Sequence, residues 1–416
     1  MDDRTRGCSG SVEYAGRSHL AETLESGEVR IRRRGADRIR GGHLWVYRSD
    51  VVDSISPIPA GSVVSVRDER GTAIGKAFYS STSQIALRFL TRGSAAGVPI
   101  NEEFIRYRIN AADKYRNHLG IDPNLSRRIY SEGDLLPGLI VDRYGDTLVV
   151  QNLCQAVDKL EPVIASLLQE QYKPRSILFR NDARVRELEG LPLEQHTVGD
   201  PIPDTIVIQE DGKEFEVALQ TGQKTGMFLD QRENHRVARQ YARGRALDGC
   251  TYGGGFALHM ADRCESVEAV DISGANIRLA EANVRRNGIL NVQCIEDNVF
   301  DYLRKVSSEG RKYDTIVLDP PAFAKNKDSL EASIRGYKEI NNRAMRILKD
   351  GGILITCTCS HHVSEAIFAE MLAEAAQDAG VWARVVERRI QATDHPVLLT
   401  VPETLYLKCF ILEIRT

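Results

Sequence analysis

The sequence predicts an α/β protein: a doubly wound, mostly parallel sheet preceded by a small β-barrel and a small α+β domain. Three observations predict it. From about residue 205 short apolar β-type runs alternate with helical stretches, the pattern of a sheet covered by helices on both faces. Between Val51 and Leu90 the pattern is instead period-two alternation broken at glycines, as in a small barrel. A chain of 416 residues is long enough for about two or three separate cores.

Composition narrows the class. Hydrophobic residues make up 42% and charged residues 27%, ordinary values for a globular protein. A net charge of −3 excludes a chain that wraps nucleic acid over its whole surface. No apolar run approaches the roughly 18 residues of a membrane span, and MDDRTRGCSGSVEYAGRS holds no signal-type stretch. The eight cysteines include no C-x-x-C pair, so neither a disulfide framework nor a zinc ribbon is expected. A cytoplasmic protein with reduced thiols and no membrane partner is the expectation.

In chain order, residues 1–27 are polar and read as a flexible tail. Residues 28–95 carry the barrel pattern and open on Arg30, Arg32, Arg33, Arg34, Arg38 and Arg40, with Trp45 and Tyr47 close behind. Such a basic patch is either a solvated face or, beside aromatics, a surface for RNA phosphates and bases. Residues 96–204 read as αββαβ: a helix in NEEFIRYRINAADKYRNHL, a hairpin around Tyr144-Gly145-Asp146, a helix in KLEPVIASLLQEQY and a strand in SILFRNDARVRELEG. Residues 205–416 hold five parallel-type strands: RALDGC, VEAVDIS, VQCIED, YDTIVLD and ILITCTC. Helices are expected at 274–287 and 331–348, the second stopped by Gly351-Gly352, and another begins at Ser364. Two late β-rich runs close the chain.

In such a sheet ligands bind beyond the carboxyl ends of the strands, so the strand ends are where chemistry is sought. Strand one runs into Asp248 and the loop Cys250-Thr251-Tyr252-Gly253-Gly254-Gly255. Aligned on Gly253 and Gly255, the third glycine of a dinucleotide fingerprint would fall at Leu258, so that fingerprint fails. Strand two ends at Asp271, placed for ribose hydroxyls, and strand three at Glu296-Asp297-Asn298, placed for an adenine amino group. Each acid alone is an ordinary turn or cap residue. Together on successive strands they repel a pyrophosphate and suit an uncharged nucleoside joined to a cation, which is S-adenosylmethionine.

Strand four ends in Asp319-Pro320-Pro321-Ala322-Phe323, either a simple strand stop or a rigid turn that grips a planar base. Strand five ends in Thr356-Cys357-Thr358-Cys359-Ser360-His361-His362. This run lacks standard zinc spacing; its thiols are inert core residues or a nucleophile across from Asp319. The nucleophile has a chemical rationale. Carbon 5 of cytosine gains nucleophilic character when a thiolate adds to carbon 6 while a carboxyl group holds or protonates nitrogen 3. Cys359 and Asp319 are the candidates for these roles, with no candidate for the base that removes the carbon-5 proton. No metal site is assigned.

These residues resemble the PUA-domain-containing, class I 23S rRNA cytosine-C5 methyltransferases of bacteria. GGHLWVYRSDV is similar to the opening of that family's PUA domain, and SEGDLLPGLIVDRYGD to its central hairpin. TGQKTGMFLDQRENH resembles its first cofactor-binding motif and DGCTYGGGFALH its glycine-rich loop. LDPPAFAKNK and TCTCSHHV resemble its substrate and nucleophile loops, and DHPV with PETLYLK its C-terminal end. The resemblance implies a PUA-like β-barrel, a small α+β central domain and a Rossmann-like methyltransferase domain with S-adenosylmethionine as cofactor. It implies Cys359 as nucleophile and puts Asp248 and Gly253, with Tyr252 and Gly254 beside them, in the cofactor loop. It also implies Asp271 at the ribose and Asp297, with Asn298, at the adenine. Asp319, Pro320 and Pro321 fall in the substrate loop; Phe323 beside them is read as a substrate contact from its place in the turn, and Arg32, Arg33 and Arg34 as RNA contacts from the basic patch itself. The implied partner is 23S rRNA or a large-subunit assembly intermediate, and a homodimer stays open. Cys357 departs from the family pattern. Competing readings are methyl transfer to a nitrogen of another base, an RNA-binding assembly factor without catalysis, and a small-molecule methyltransferase.

Overall fold

The computed structural model describes residues 25–52, 58–323 and 330–416. They form two compact units that interleave along the chain. One takes the chain up to Ile206 with Ala218–Met227 and Asp394–Thr404; the other takes Val207–Val217, Phe228–Thr393 and Leu405–Thr416. Sequence reading gave contiguous ranges, so the runs at 218–227 and 394–404 are placed differently from expectation. Of the expected tail, residues 1–24 lie outside the described part, and Glu25 to Gly27 already belong to a strand.

The first unit opens with β1 (Glu25–Ile31), α1 (Arg33–Arg40), β2 (Trp45–Tyr47), β3 (Val63–Asp68), β4 (Ala73–Tyr79) and β5 (Ile85–Arg92). The strands pair in the order β1-β3-β4-β5-β2. An antiparallel bridge between Ile31 and Val51 draws one edge of this sheet toward the chain leaving the other, curling it around Val29, Val46, Val64, Leu87 and Phe89. Sequence reading missed α1 because its buried face is only Gly35, Ala36 and Ile39, too narrow a stripe among arginines.

The same unit continues with α2 (Glu102–His118), β6 (Leu125–Tyr130), β7 (Leu139–Tyr144), β8 (Thr147–Asn152), α3 (Gln155–Lys159), α4 (Glu161–Tyr172), β9 (Ser176–Asn181) and β10 (Glu194–Gly199). A sheet in the order β10-β9-β8-β7-β6 packs on the helices through Ile105, Ile109, Val150, Ile164, Leu168 and Phe179. The hairpin turn at Gly145-Asp146 stands as expected, with Gly145 at φ +61°, a conformation that glycine adopts without strain. The expected αββαβ order lacked β6 and β10.

Buried arginines explain why the late segments join this unit. Arg127 forks onto Asp142 with both bonds at 2.7 Å, and Arg116 forks onto Asp134 at 3.0 and 2.8 Å. Paired this way, the charges avoid the large penalty of isolated burial. Asp394 accepts from the Arg127 amide at 2.9 Å, and its carbonyl accepts from Arg116 at 2.7 Å. The run at 218–227 is fastened by Arg180, which donates to the Leu219 and Gly222 carbonyls, and by the Thr225 hydroxyl, which donates to Asp142 at 2.6 Å.

The second unit starts with the hairpin β11 (Ile206–Glu210) and β12 (Lys213–Val217), then α5 (Arg232–Tyr241), β13 (Gly244–Gly249), α6 (Gly255–Met260), β14 (Cys264–Asp271) and α7 (Gly274–Arg286). It goes on through β15 (Val292–Glu296), α8 (Val299–Ser308), β16 (Tyr313–Leu318), α9 (Leu330–Ile347), β17 (Leu348–Thr358), α10 (Glu365–Ala379), β18 (Trp382–Ile390) and β19 (Lys408–Arg415). The sheet order is β15-β14-β13-β16-β17-β19-β18, with β19 antiparallel to both its neighbours and the other pairs parallel. This is the doubly wound sheet expected, and Ser364 caps α10 as expected by accepting from the Ile367 amide. Gly351 and Gly352, read as a helix stop, lie inside β17 instead, where Gly351 sits at φ +74°. Among the described residues no helix is long and apolar enough to cross a membrane.

Candidate cofactor and catalytic site

The sheet order reverses direction at β13: β14 and β15 lie on one side and β16 on the other. Parallel register brings the strand ends level, with Asp248 opposite Val317 and Ala269, Leu318 opposite Thr356, and Asp271 opposite Glu296. The acidic strand ends therefore share one rim of the sheet, at the position where open α/β sheets hold ligands.

Asp248 is fully buried. Its Oδ2 accepts from the Thr251 hydroxyl at 2.6 Å and from the Ala257 amide at 2.9 Å, so one oxygen anchors both ends of the glycine-rich loop. Its Oδ1 is buried without a hydrogen-bond partner. Burial pushes the carboxyl up to about 6, against the lowering pull of those two donors. The loop between them is contorted: Cys250 at φ +66°, Tyr252 at +52° and Gly254 at +87°. Gly255 is glycine for a different reason, since a Cβ there would come within 2.6 Å of the His235 ring. That contact was not foreseen from the sequence.

Asp271 fixes the other side of the loop. Its Oδ2 accepts from the Tyr252 amide at 3.0 Å, and its Oδ1 from the Ser273 amide and the Asn276 side chain at 2.9 and 3.0 Å. Tyr252 is braced edge-on by Phe228, with ring centroids 5.1 Å apart. Gly253 turns its carbonyl to the Asn283 side chain at 2.9 Å. At the end of β15, Asp297 accepts from the Asn298 amide, and Asn298 caps α8 by accepting from Phe300. Both residues hold local backbone here, the role any single turn residue plays.

One thiol reports that the carboxylates converge. Cys250 is raised by burial first, and then by the charges of Asp271, Asp319 and Asp248 together. A group with a cationic centre and hydroxyls fits such a rim. The buried, partnerless Asp248 oxygen and the glycine-rich loop beside it are the features that S-adenosylmethionine would complete.

Asp319 follows β16, and its Oδ2 accepts from the Gln231 amide side chain at 2.9 Å; Gln231 in turn accepts from Asn234 at 2.6 Å. Pro320 is buried and Pro321 exposed. Phe323 packs on Tyr337 at 4.6 Å between centroids. The rest of the LDPPAFAKNK motif, from Ala324, lies outside the described residues. Burial pushes the Tyr337 phenol up to about 12, and Cys359 and Asp319 both act on it in the same direction.

The two thiols of strand five differ sharply. Cys357 is fully buried in β17, opposite Cys409 in the register. The Cys409 side chain and burial push its thiol well above the ordinary value, so it stays protonated. Cys359 lies one residue beyond the strand and is partly exposed. Nearby, the buried Lys408 donates from Nζ to the Ser360 carbonyl at 2.9 Å. Burial lowers the Lys408 amine, and Cys359 pulls the other way. Gln231 and Lys408 were not singled out from the sequence, because a lone glutamine and a strand lysine carry no spacing signal.

In the first unit Arg32, Arg33 and Arg34 are exposed at the start of α1, whose first turn holds no acid. Arg34 pairs with the buried Asp50 at 2.7 Å and Arg33 with Asp37 at 3.4 Å. Trp45, expected beside the patch, donates its indole N–H to Glu132 at 2.8 Å.

Comparison with known proteins agrees with this architecture. Residues 29–92 match the PUA-like domain family, and residues 169–405 match the S-adenosylmethionine-dependent methyltransferase family. The ribosomal RNA large subunit methyltransferase I of Erwinia tasmaniensis is 38% identical over 375 residues, covering 88% of this chain and 94% of its own. The protein of that name from Escherichia coli strain K12 is 36% identical over the same lengths. The chain belongs to this PUA-containing, S-adenosylmethionine-dependent methyltransferase family. Among solved structures, SMU.776, assigned as a methyltransferase and complexed with SAH, superposes with a TM-score of 0.81 at 20% identity, covering 93% of this chain and 100% of that one. A Streptococcus mutans protein assigned as a SAM-dependent methyltransferase gives 0.78 at 19%, with the same coverage. Both likenesses are of fold.

The rim geometry predicts that Asp271→Ala weakens S-adenosylmethionine binding by roughly 1.5–3 kcal/mol, the scale of hydrogen bonds to a charged group. Calorimetry on the folded variant checks it; unchanged affinity would remove Asp271 from the ribose position.

Proposed function

We propose that this protein methylates carbon 5 of a cytosine in 23S rRNA, either naked or in a large-subunit assembly intermediate, with Cys359 as nucleophile. The observation that carries the reading is that Asp319 and Cys359 follow the ends of the adjacent parallel strands β16 and β17, where Leu318 pairs with Thr356. The relatives' activity on large-subunit rRNA supports the substrate class.

S-adenosylmethionine supplies an electrophilic methyl group on a sulfonium. Asp248, Asp271 and Asp297, with Tyr252, Gly253, Gly254 and Asn298, hold it at the strand ends. Cys359 Sγ adds to carbon 6 of the cytosine, while Asp319 holds a proton at nitrogen 3. The bound sulfonium would supply the methyl group to carbon 5, its sulfur–methyl bond breaking to leave a neutral thioether; a base then takes the carbon-5 proton, and the carbon 6–sulfur bond breaks to return the thiolate. Lys408, whose Nζ donates to the Ser360 carbonyl next to Cys359, is the cation placed to offset the thiolate charge. Gln231 fixes the Asp319 carboxyl, and Pro320, Pro321 and Phe323 present a rigid turn to the base.

Arg32, Arg33 and Arg34 bind RNA phosphates in this reading. Cations at a helix N-terminus oppose the helix dipole, a cost that a bound phosphate reverses. Joint substitution of the three by Glu should weaken RNA binding and flatten its salt dependence without altering cofactor affinity. Equal RNA affinity would show that the patch is only a solvated face.

RNA carrying 5-fluorocytosine tests the chemistry, because a carbon-5 fluorine cannot leave as a proton. A denaturant-resistant protein–RNA band that requires S-adenosylmethionine is expected. Cys359→Ala should abolish band and turnover, and Cys357→Ala should leave both largely intact. A band that survives Cys359→Ala but disappears with Cys357→Ala would move the role to Cys357. Normal methylation with no band in any variant would exclude covalent catalysis and favour methyl transfer to a nitrogen.

A further inference from the structure

We propose that Glu210, His235 and His259 bind one divalent transition-metal ion of the zinc class, at the root of the glycine-rich loop. Glu210 ends β11, His235 lies on α5 and His259 on α6; all three are buried, and their ligating atoms lie within 4.8 Å of one another. Two imidazoles and a carboxylate are the donor set that zinc takes in many proteins.

The same side chains also share a hydrogen-bond deficit: His259 Nε2 and Glu210 Oε2 are buried without partners. His259 Nδ1 lies 2.7 Å from the Gly255 carbonyl, which can only accept, so the ring proton sits on Nδ1. With the proton on Nδ1, the neutral ring presents a bare lone pair at Nε2. That Nε2 is buried without a partner and stands 3.6 Å from Glu210 Oε1. Two lone pairs face each other with no proton between them. The second Glu210 oxygen, Oε2, is buried without a partner as well. A cation among the three groups satisfies both orphaned atoms at once. The orienting bond from His259 to a backbone carbonyl is also the arrangement that metal-bound histidines make on their far nitrogen.

His235 Nδ1 is 2.7 Å from Glu210 Oε1, a hydrogen bond. Metal binding replaces that proton, which leaves to solvent, and the pair opens until each atom is about 2.0–2.2 Å from the ion. The bound ion joins β11, α5 and α6 at the point where the His235 ring packs over Gly255. Its role is structural, fastening the elements that carry the glycine-rich loop.

The test uses the full chain, stripped with a chelator, dialysed, and titrated with Zn²⁺ or Co²⁺. About one equivalent of zinc should survive gel filtration, raise the melting temperature and release protons to the buffer. The cobalt form should show the visible bands of a low-coordinate nitrogen–oxygen site without a sulfur-to-cobalt charge-transfer band. His259→Phe, which keeps a ring stacked on Phe215, and Glu210→Gln should each lower zinc affinity by more than about tenfold. Either variant suffices if the other fails to fold. Wild-type protein that retains no zinc and shows only the aquo-cobalt spectrum would overturn the proposal, leaving a buried water as the bridge. Retention that is equal in wild type and variants, or a sulfur charge-transfer band, would place any metal on the cysteines and also overturn it.

Discussion

The second unit depends on one buried carboxylate. Asp248 stands at the end of the central strand, where the sheet order reverses, and a single oxygen ties down both ends of the loop that follows. Those two bonds act with the bond from the Tyr252 amide to Asp271 to hold the left-handed residues Cys250 and Tyr252 in a costly conformation. The same carboxylate keeps its second oxygen dry and partnerless, so the fold carries an unfavourable negative charge at the rim. A cationic ligand resolves that cost. In the proposed reading the neighbouring acids Asp271 and Asp319 add to the negative potential and suit a nucleoside with a positive centre.

The strands and helices of the second unit were legible in the sequence because their packing is periodic: β13 to β17 are apolar runs, and α7, α9 and α10 keep one apolar face. The elements that escaped did so for identifiable reasons. In β6 the arginines at 127 and 128 are buried rather than exposed, so a strand that packs inward on both faces looks polar. Its charges are cancelled by Asp142 and Asp113, partners that sequence spacing does not reveal. β10 is an edge strand with a mostly exposed pattern, and α1 has too few apolar residues to show a stripe. The interleaving of the two units rests on bonds such as Arg127 to Asp394, whose partners are 267 residues apart.

At the site, residue types at strand ends were readable, but their division of labour was not. The sequence left two thiols equivalent in geometry. The sheet separates them, because Cys357 pairs with Cys409 inside the core while Cys359 lies just past the last ladder position. Asn298 and Asp297 turn inward to cap α8, whereas Asp248 spends one oxygen on the loop and keeps the other in reserve. The three residues under the loop, Glu210, His235 and His259, come from separate elements, and no local motif announces them.

We propose that the unpartnered oxygen of the Asp248 carboxylate receives the cationic cofactor. The most direct test is calorimetric affinity for S-adenosylmethionine between about pH 5 and pH 8, in wild type and in Asp248→Asn. A carboxyl whose folded value lies near 6 is charged above that value and neutral below it. Wild-type affinity should therefore fall as the pH drops through about 6, and the variant should bind at least tenfold more weakly at neutral pH, about 1.4 kcal/mol, with little pH dependence. Equal affinity at neutral pH, or the same pH slope in both proteins, would contradict the account.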